Sequence, residues 1–73
     1  MKMPVVSGYE LLKFLSKRFG FYIIRQKGNH ATITNDVRFT TIPLHEELDT
    51  GTLKSILKDA GVTRKQFLQE YKK

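Results

Sequence analysis

Residues 21–34 read FYIIRQKGNHATIT, and the way they pair decides the fold. FYIIRQK (21–27) is rich in aromatic and β-branched residues, the composition of a strand. Gly28-Asn29 supplies two residues that tolerate the positive φ of a two-residue hairpin turn. HATIT (30–34) alternates, so Ala31 and Ile33 share one face while His30, Thr32 and Thr34 share the other. A slip of one residue would exchange those faces, and burial selects the register with Ala31 and Ile33 inside. Lys27 then lies opposite His30 and Arg25 opposite Thr32 on the outer face. Ile23 falls on that same face, a conflict that a register shift or a partner's contact would resolve.

VRFTTI (37–42) reads as the third strand, joined through Asn35-Asp36 and closed by Pro43. A three-residue turn, Thr34–Asp36, would set Ile33 against Val37 and Ala31 against Phe39. Arg38 and Thr40 would then stand beside His30, in an outer patch of Arg25, Lys27, His30, Thr32 and Arg38. Upstream, Ser7 and Glu10 form a capping box in which each side chain satisfies a free amide at a helix start. Leu11, Leu12, Leu15 and Phe19 follow at helical spacing, and Gly20 stops the helix. Downstream, LHEELDT (44–50) is a loop. Asp49 or Thr50 caps a helix carrying Leu53, Ile56, Leu57 and Ala60, stopped by Gly61. Thr63 with Gln66 makes a second capping box for a last helix bearing Phe67, Leu68 and Tyr71. The expected fold is α+β in the order α-β-β-β-α-α, one domain over residues 1–73.

The chain has 73 residues, no cysteine and a net charge of +6. That length suits one domain with a small core. Without cysteine there is no disulfide framework and no thiolate chemistry, which fits a reducing compartment. Neither a membrane-length apolar run nor a signal peptide is legible, so the expected location is the cytoplasm. No cofactor is expected, and no metal, since two histidines and seven carboxylates are the only ligands available. The charge is uneven. Residues 1–30 carry six Lys/Arg against one acid and residues 53–73 six against two, whereas residues 31–52 carry one against four. Such a distribution suits a polyanion, an acidic protein, or both.

RQKGNH (25–30), IPLHEEL (42–48) and GTLKSILKDAGV (51–62), followed by Phe67-Leu68, resemble the HicA family of toxins, small ribonucleases of toxin–antitoxin pairs. The likeness runs from Ser7 to about Leu68, with the motifs in the family's order. It implies a fold like the double-stranded-RNA-binding domain, with helices on one face of a three-stranded antiparallel sheet. It also implies cleavage of messenger RNA, arrest of translation, and neutralisation by an acidic HicB-type antitoxin. The family's catalytic histidine stands in a glycine–small residue–histidine motif at the start of strand two, matched here by Gly28-Asn29-His30. Asn29 replaces the commoner serine, and Ala31 replaces a second histidine found in many members, which bears on substrate preference. His45 falls where the family often carries a histidine after the proline, and is a secondary candidate.

A solvated histidine beside a turn is more often incidental than catalytic, and the cations around His30 are what single it out. Metal-free RNA cleavage requires a 2′-hydroxyl to lose its proton as it attacks phosphorus, a task imidazole performs near neutral pH. Lys27 and Arg25 are candidates for stabilising the negative charge that develops, and Arg38 and Lys54 for further RNA contacts. Lys13, Lys17, Arg18 and Lys58 either touch phosphate or keep the chain solvated. Two rival expectations stand beside the nuclease. One is a non-catalytic RNA-binding module; the other is a basic module that docks an acidic protein.

Overall fold

The computed structural model describes residues 3–71. Helix α1 (Gly8–Phe19) leads into strands β1 (Tyr22–Lys27), β2 (His30–Thr34) and β3 (Phe39–Pro43), then helices α2 (Thr50–Ala60) and α3 (Arg64–Glu70). The sheet is antiparallel, in the order β1-β2-β3. This is the α-β-β-β-α-α arrangement expected from the sequence.

Local chemistry sets the helix ends. The Ser7 hydroxyl accepts from the Glu10 amide at 3.0 Å, and the Ser7 amide donates to Glu10 Oε1 at 2.9 Å. Thr63 and Gln66 repeat that reciprocal pair at α3. Asp49 caps α2 by accepting from the Thr52 amide at 2.7 Å. This bond holds the Asp49 carboxyl below its ordinary range.

The helices pack on one face of the sheet. Ala31 and Ile33 of β2 and Ile42 of β3 are buried there against Leu11, Leu15, Leu53, Leu57 and Phe67. Phe14 joins α1 to α3 through edge-on contacts with Phe67 at 5.3 Å and Tyr71 at 5.6 Å. Exposing Ile33 and Ile42 alone would cost about 3–6 kcal/mol. A net stability of about 5–15 kcal/mol is typical of a folded domain. Burial therefore fixes which face of β2 is inside.

The sheet differs from the sequence expectation in both strand pairings and at the start of β1. Between β1 and β2 the register is as expected at Lys27↔His30 and Arg25↔Thr32. A bulge then absorbs Ile24 and sets Ile23 opposite Ile33, on the helix side of the sheet and off the face of His30, although at this edge strand its side chain stays 45% exposed. The conflict over Ile23 is resolved by that one extra residue. Between β2 and β3 the expected register is wrong. The turn takes four residues, 35–38, because the Asn35 side chain accepts from the amides of both Val37 and Arg38, at 3.0 and 2.8 Å. The Thr34 hydroxyl donates to the Arg38 carbonyl at 2.7 Å and completes the loop. Pairing becomes Ile33↔Thr40 and Thr34↔Phe39, so the faces of strand three are exchanged. Thr40 is buried on the helix side and donates to Asp59 Oδ2 at 3.3 Å, instead of standing beside His30. Phe39 and Val37, expected inside, are 70% and 84% exposed. Phe21, expected to open β1, sits just before it and is buried in the core.

Candidate active site at the mouth of the hairpin

Gly28-Asn29 forms the expected two-residue turn, with Gly28 at φ +58°. His30 follows at once, exposed, at the start of β2. Directly paired residues share a face, so the open face can be read as three rows across the sheet. Lys27, His30 and Pro43 form the first row, at the turn end. Arg25, Thr32 and Thr41 form the second, where the two threonine hydroxyls lie 3.2 Å apart. Tyr22, Thr34 and Phe39 form the third.

The loop after β3 brings His45 to the first row. Its ring centroid lies 6.4 Å from that of His30, the planes inclined at 72°. Two backbone hydrogen bonds hold it there. The Leu44 amide donates to the Asn29 carbonyl at 2.6 Å, tying the loop to the hairpin turn. The Gly8 amide donates to the His45 carbonyl at 2.9 Å, tying the same loop to the start of α1. That second bond depends on glycine, because a Cβ at residue 8 would collide with the Pro43 carbonyl oxygen. Two imidazoles from chain positions fifteen apart are thus fixed together by main-chain contacts.

Of the expected outer patch, Arg25, Lys27, His30 and Thr32 are together on the open face. Arg38 is not. Its side chain lies across Gly61 at the carbonyl end of α2, where a cation suits the helix dipole. Lys54 is with Arg38, not with His30: both line a groove of about 480 Å³ that also receives Lys58 and Arg64. Lys13, Lys17 and Arg18 line another groove, together with Glu10 and Glu70. The four-residue turn is the cause of the Arg38 displacement, since it moves residue 38 out of strand three.

The third row was not legible as part of a site. Phe39 alternates as a core residue under the shorter turn, and no local signal in the sequence contradicts that. Tyr22 is 48% exposed, and its hydroxyl donates to Asp36 Oδ1 at 2.5 Å. That bond to a carboxylate is the main reason its phenol is raised above the ordinary range. Asp36 reaches it from a left-handed backbone conformation, φ +74°. The ring is therefore held in place without being covered.

Among the described residues, no helix is long and apolar enough to cross a membrane. A family described as the HicA toxin of bacterial toxin–antitoxin systems matches residues 8–62, from the first residue of α1 to just beyond α2. No curated protein matches the chain.

Proposed function

The chain belongs to the HicA toxin family of bacterial toxin–antitoxin systems, and from that membership we propose that it is an endoribonuclease acting on messenger RNA, with His30 at the reacting centre. The observation that carries this reading is the His30–His45 pair beside Lys27. Cleavage by internal attack needs a base for the 2′-hydroxyl and an acid for the departing 5′-oxygen. Two imidazoles on either side of one phosphate supply both, each by a proton transfer worth about 10²–10⁴ in rate.

His30 takes the 2′-hydroxyl proton as the oxygen attacks the adjacent phosphorus. His45 gives a proton to the 5′-oxygen as its bond to phosphorus breaks. Lys27 and Arg25, on the same face as His30, stabilise the charge that gathers on the phosphorane oxygens. The products are a 2′,3′-cyclic phosphate and a 5′-hydroxyl, with no metal or cofactor taking part. Membership of the family also implies an antitoxin partner. An acidic HicB-type protein lying on the cationic open face would exclude RNA by occupying the same surface. A standard interface takes about 800 Å² from each partner, enough to hide the site on a domain of this size.

The test is cleavage of single-stranded RNA in the presence of a chelator, with the product ends identified. Wild type should leave cyclic phosphate ends, and His30→Ala should lose about 10²–10⁴ in rate while still binding RNA. His45→Ala should lose one limb of a bell-shaped pH profile. Products ending in 5′-phosphate, or full cleavage by His30→Ala, would overturn the mechanism. Binding unchanged and cleavage absent in wild type would favour the non-catalytic RNA-binding module.

A further inference from the structure

Beyond the reacting centre, the open face of the sheet carries an arrangement that the chemistry of cleavage does not use. Tyr22 and Phe39 flank Thr34 in the third row, both exposed, on the face that presents His30 and Arg25. We propose that single-stranded RNA lies along this face, with its phosphates toward Arg25 and Lys27 and its bases stacked on Tyr22 and Phe39. The proposal rests on the ribonuclease reading and names the form of RNA that this site accepts.

Three observations carry it. The first is the placement of charge. Lys27 and Arg25 occupy the first and second rows, and the carboxylate of Asp36 stands beside Tyr22 in the third. A polyanion's backbone is drawn to the first two rows and repelled at the last, which leaves the bases to occupy the aromatic end. The second is the state of the rings. Phe39 is 70% exposed although it lies in a strand whose alternate residues, Thr40 and Ile42, are buried. Tyr22 is pinned by Asp36 but uncovered. A ring fixed in place and open to solvent loses little freedom when a base stacks on it. The third is distance. The first and third rows are four residues apart along β2, which is ~13 Å at ~3.3 Å per residue. A strand whose phosphate reacts at His30 can therefore place a neighbouring base over the third row.

Sheets that present aromatic rings on an open face bind unpaired bases in this manner, because stacking requires a free base face. A duplex hides those faces, so it gains nothing from the third row. The occupant is therefore single-stranded, and stacking makes the site tolerant of base identity, since every base has a π-face.

The experiment measures binding in a His30→Ala background, which prevents cleavage of the probe. Three labelled probes are compared: a ten-residue oligouridine, the same strand with abasic positions, and a duplex of equal length. Phe39→Ala should weaken binding of the oligouridine about tenfold or more, and Tyr22→Leu should do the same. Neither should alter binding of the abasic strand or the duplex. Tyr9→Ala, which removes an exposed aromatic from α1, should change none of the three. An equal loss on abasic and normal strands, or no loss at all, would overturn the proposal. So would Phe39→Ala leaving RNA binding intact while abolishing neutralisation by the cognate antitoxin, which would assign the rings to a protein partner. Failure of the ribonuclease reading looks different. In that case the protein with His30 intact cleaves no RNA, whatever residue occupies position 39, while the binding measurements still decide whether the rings hold a single strand.

Discussion

Ile33 and Thr34 are neighbours in the chain but belong to different parts of the molecule. Ile33 is fully buried beneath the helices, while Thr34 lies between two exposed aromatics on the open face. The same division runs the length of β2, with Ala31 and Ile33 inside and His30, Thr32 and Thr34 outside. One face is apolar, closely packed and responsible for stability. The other is polar, cationic at the turn end and aromatic at the far end, and contributes little to folding. One strand serves both because side chains alternate at a period of two. Changes on the two faces should therefore have separable consequences.

The largest effect is expected on the covered side. Ile33→Ala should lower unfolding free energy by about 2–5 kcal/mol, read from urea denaturation, by removing buried methyls and leaving a cavity. Cleavage measured well below the reduced melting temperature should stay near wild type. An Ile33→Ala protein with normal stability and abolished cleavage would break the division between faces.

Gly8→Ala tests the place where the two regions meet. An added Cβ meets the Pro43 carbonyl oxygen and presses on the loop that carries His45. Overpacking of this kind costs about 1–3 kcal/mol. Cleavage at full folding should also fall, since His45 moves relative to His30. A loss of stability with unchanged kcat would show that the loop bonds are structural only.

Arg25→Gln sharpens the contrast from the other side. Stability should shift by no more than about 0.5 kcal/mol, as for exposed positions generally. The dependence of RNA affinity on salt should flatten by about 0.7 in log–log slope for each phosphate that the guanidinium no longer neutralises. An unchanged slope would remove Arg25 from the RNA surface.

The smallest effect belongs to Asp49, remote from both faces at the start of α2. Its carboxyl is held below the ordinary range by the Thr52 amide. A depressed carboxylate adds stability that is complete above its unfolded pKa of ~3.9 and fades as pH falls through the lower folded value. Asp49→Asn should flatten that part of the acid limb of the stability profile and leave cleavage at neutral pH untouched. An acid limb identical to wild type would mean that the cap contributes nothing to it.

Much of this molecule was legible in its sequence. The capping boxes at Ser7 and Thr63, the Gly20 and Gly61 stops, the Gly28-Asn29 turn and the pairing of Lys27 with His30 all stand where local pattern puts them. Arg25, Lys27 and His30 on one face could be deduced from alternation alone. The position of His45 beside His30 could not, because it depends on Leu44 bonding to Asn29 and Gly8 to His45. Nor could the displacement of Arg38 or the exposure of Phe39. Both follow from Asn35 capturing two amides and lengthening the turn by one residue.

The sequence by itself determined the order of the elements, the caps and stops of the helices and the alternation along β2, because each depends on residues a few positions apart. Only the tertiary structure decided how strand three registers, where the second imidazole stands and which aromatics face outward. Those outcomes depend on which groups of distant segments reach one another, and a single extra residue in a turn exchanges the faces of everything that follows within the strand.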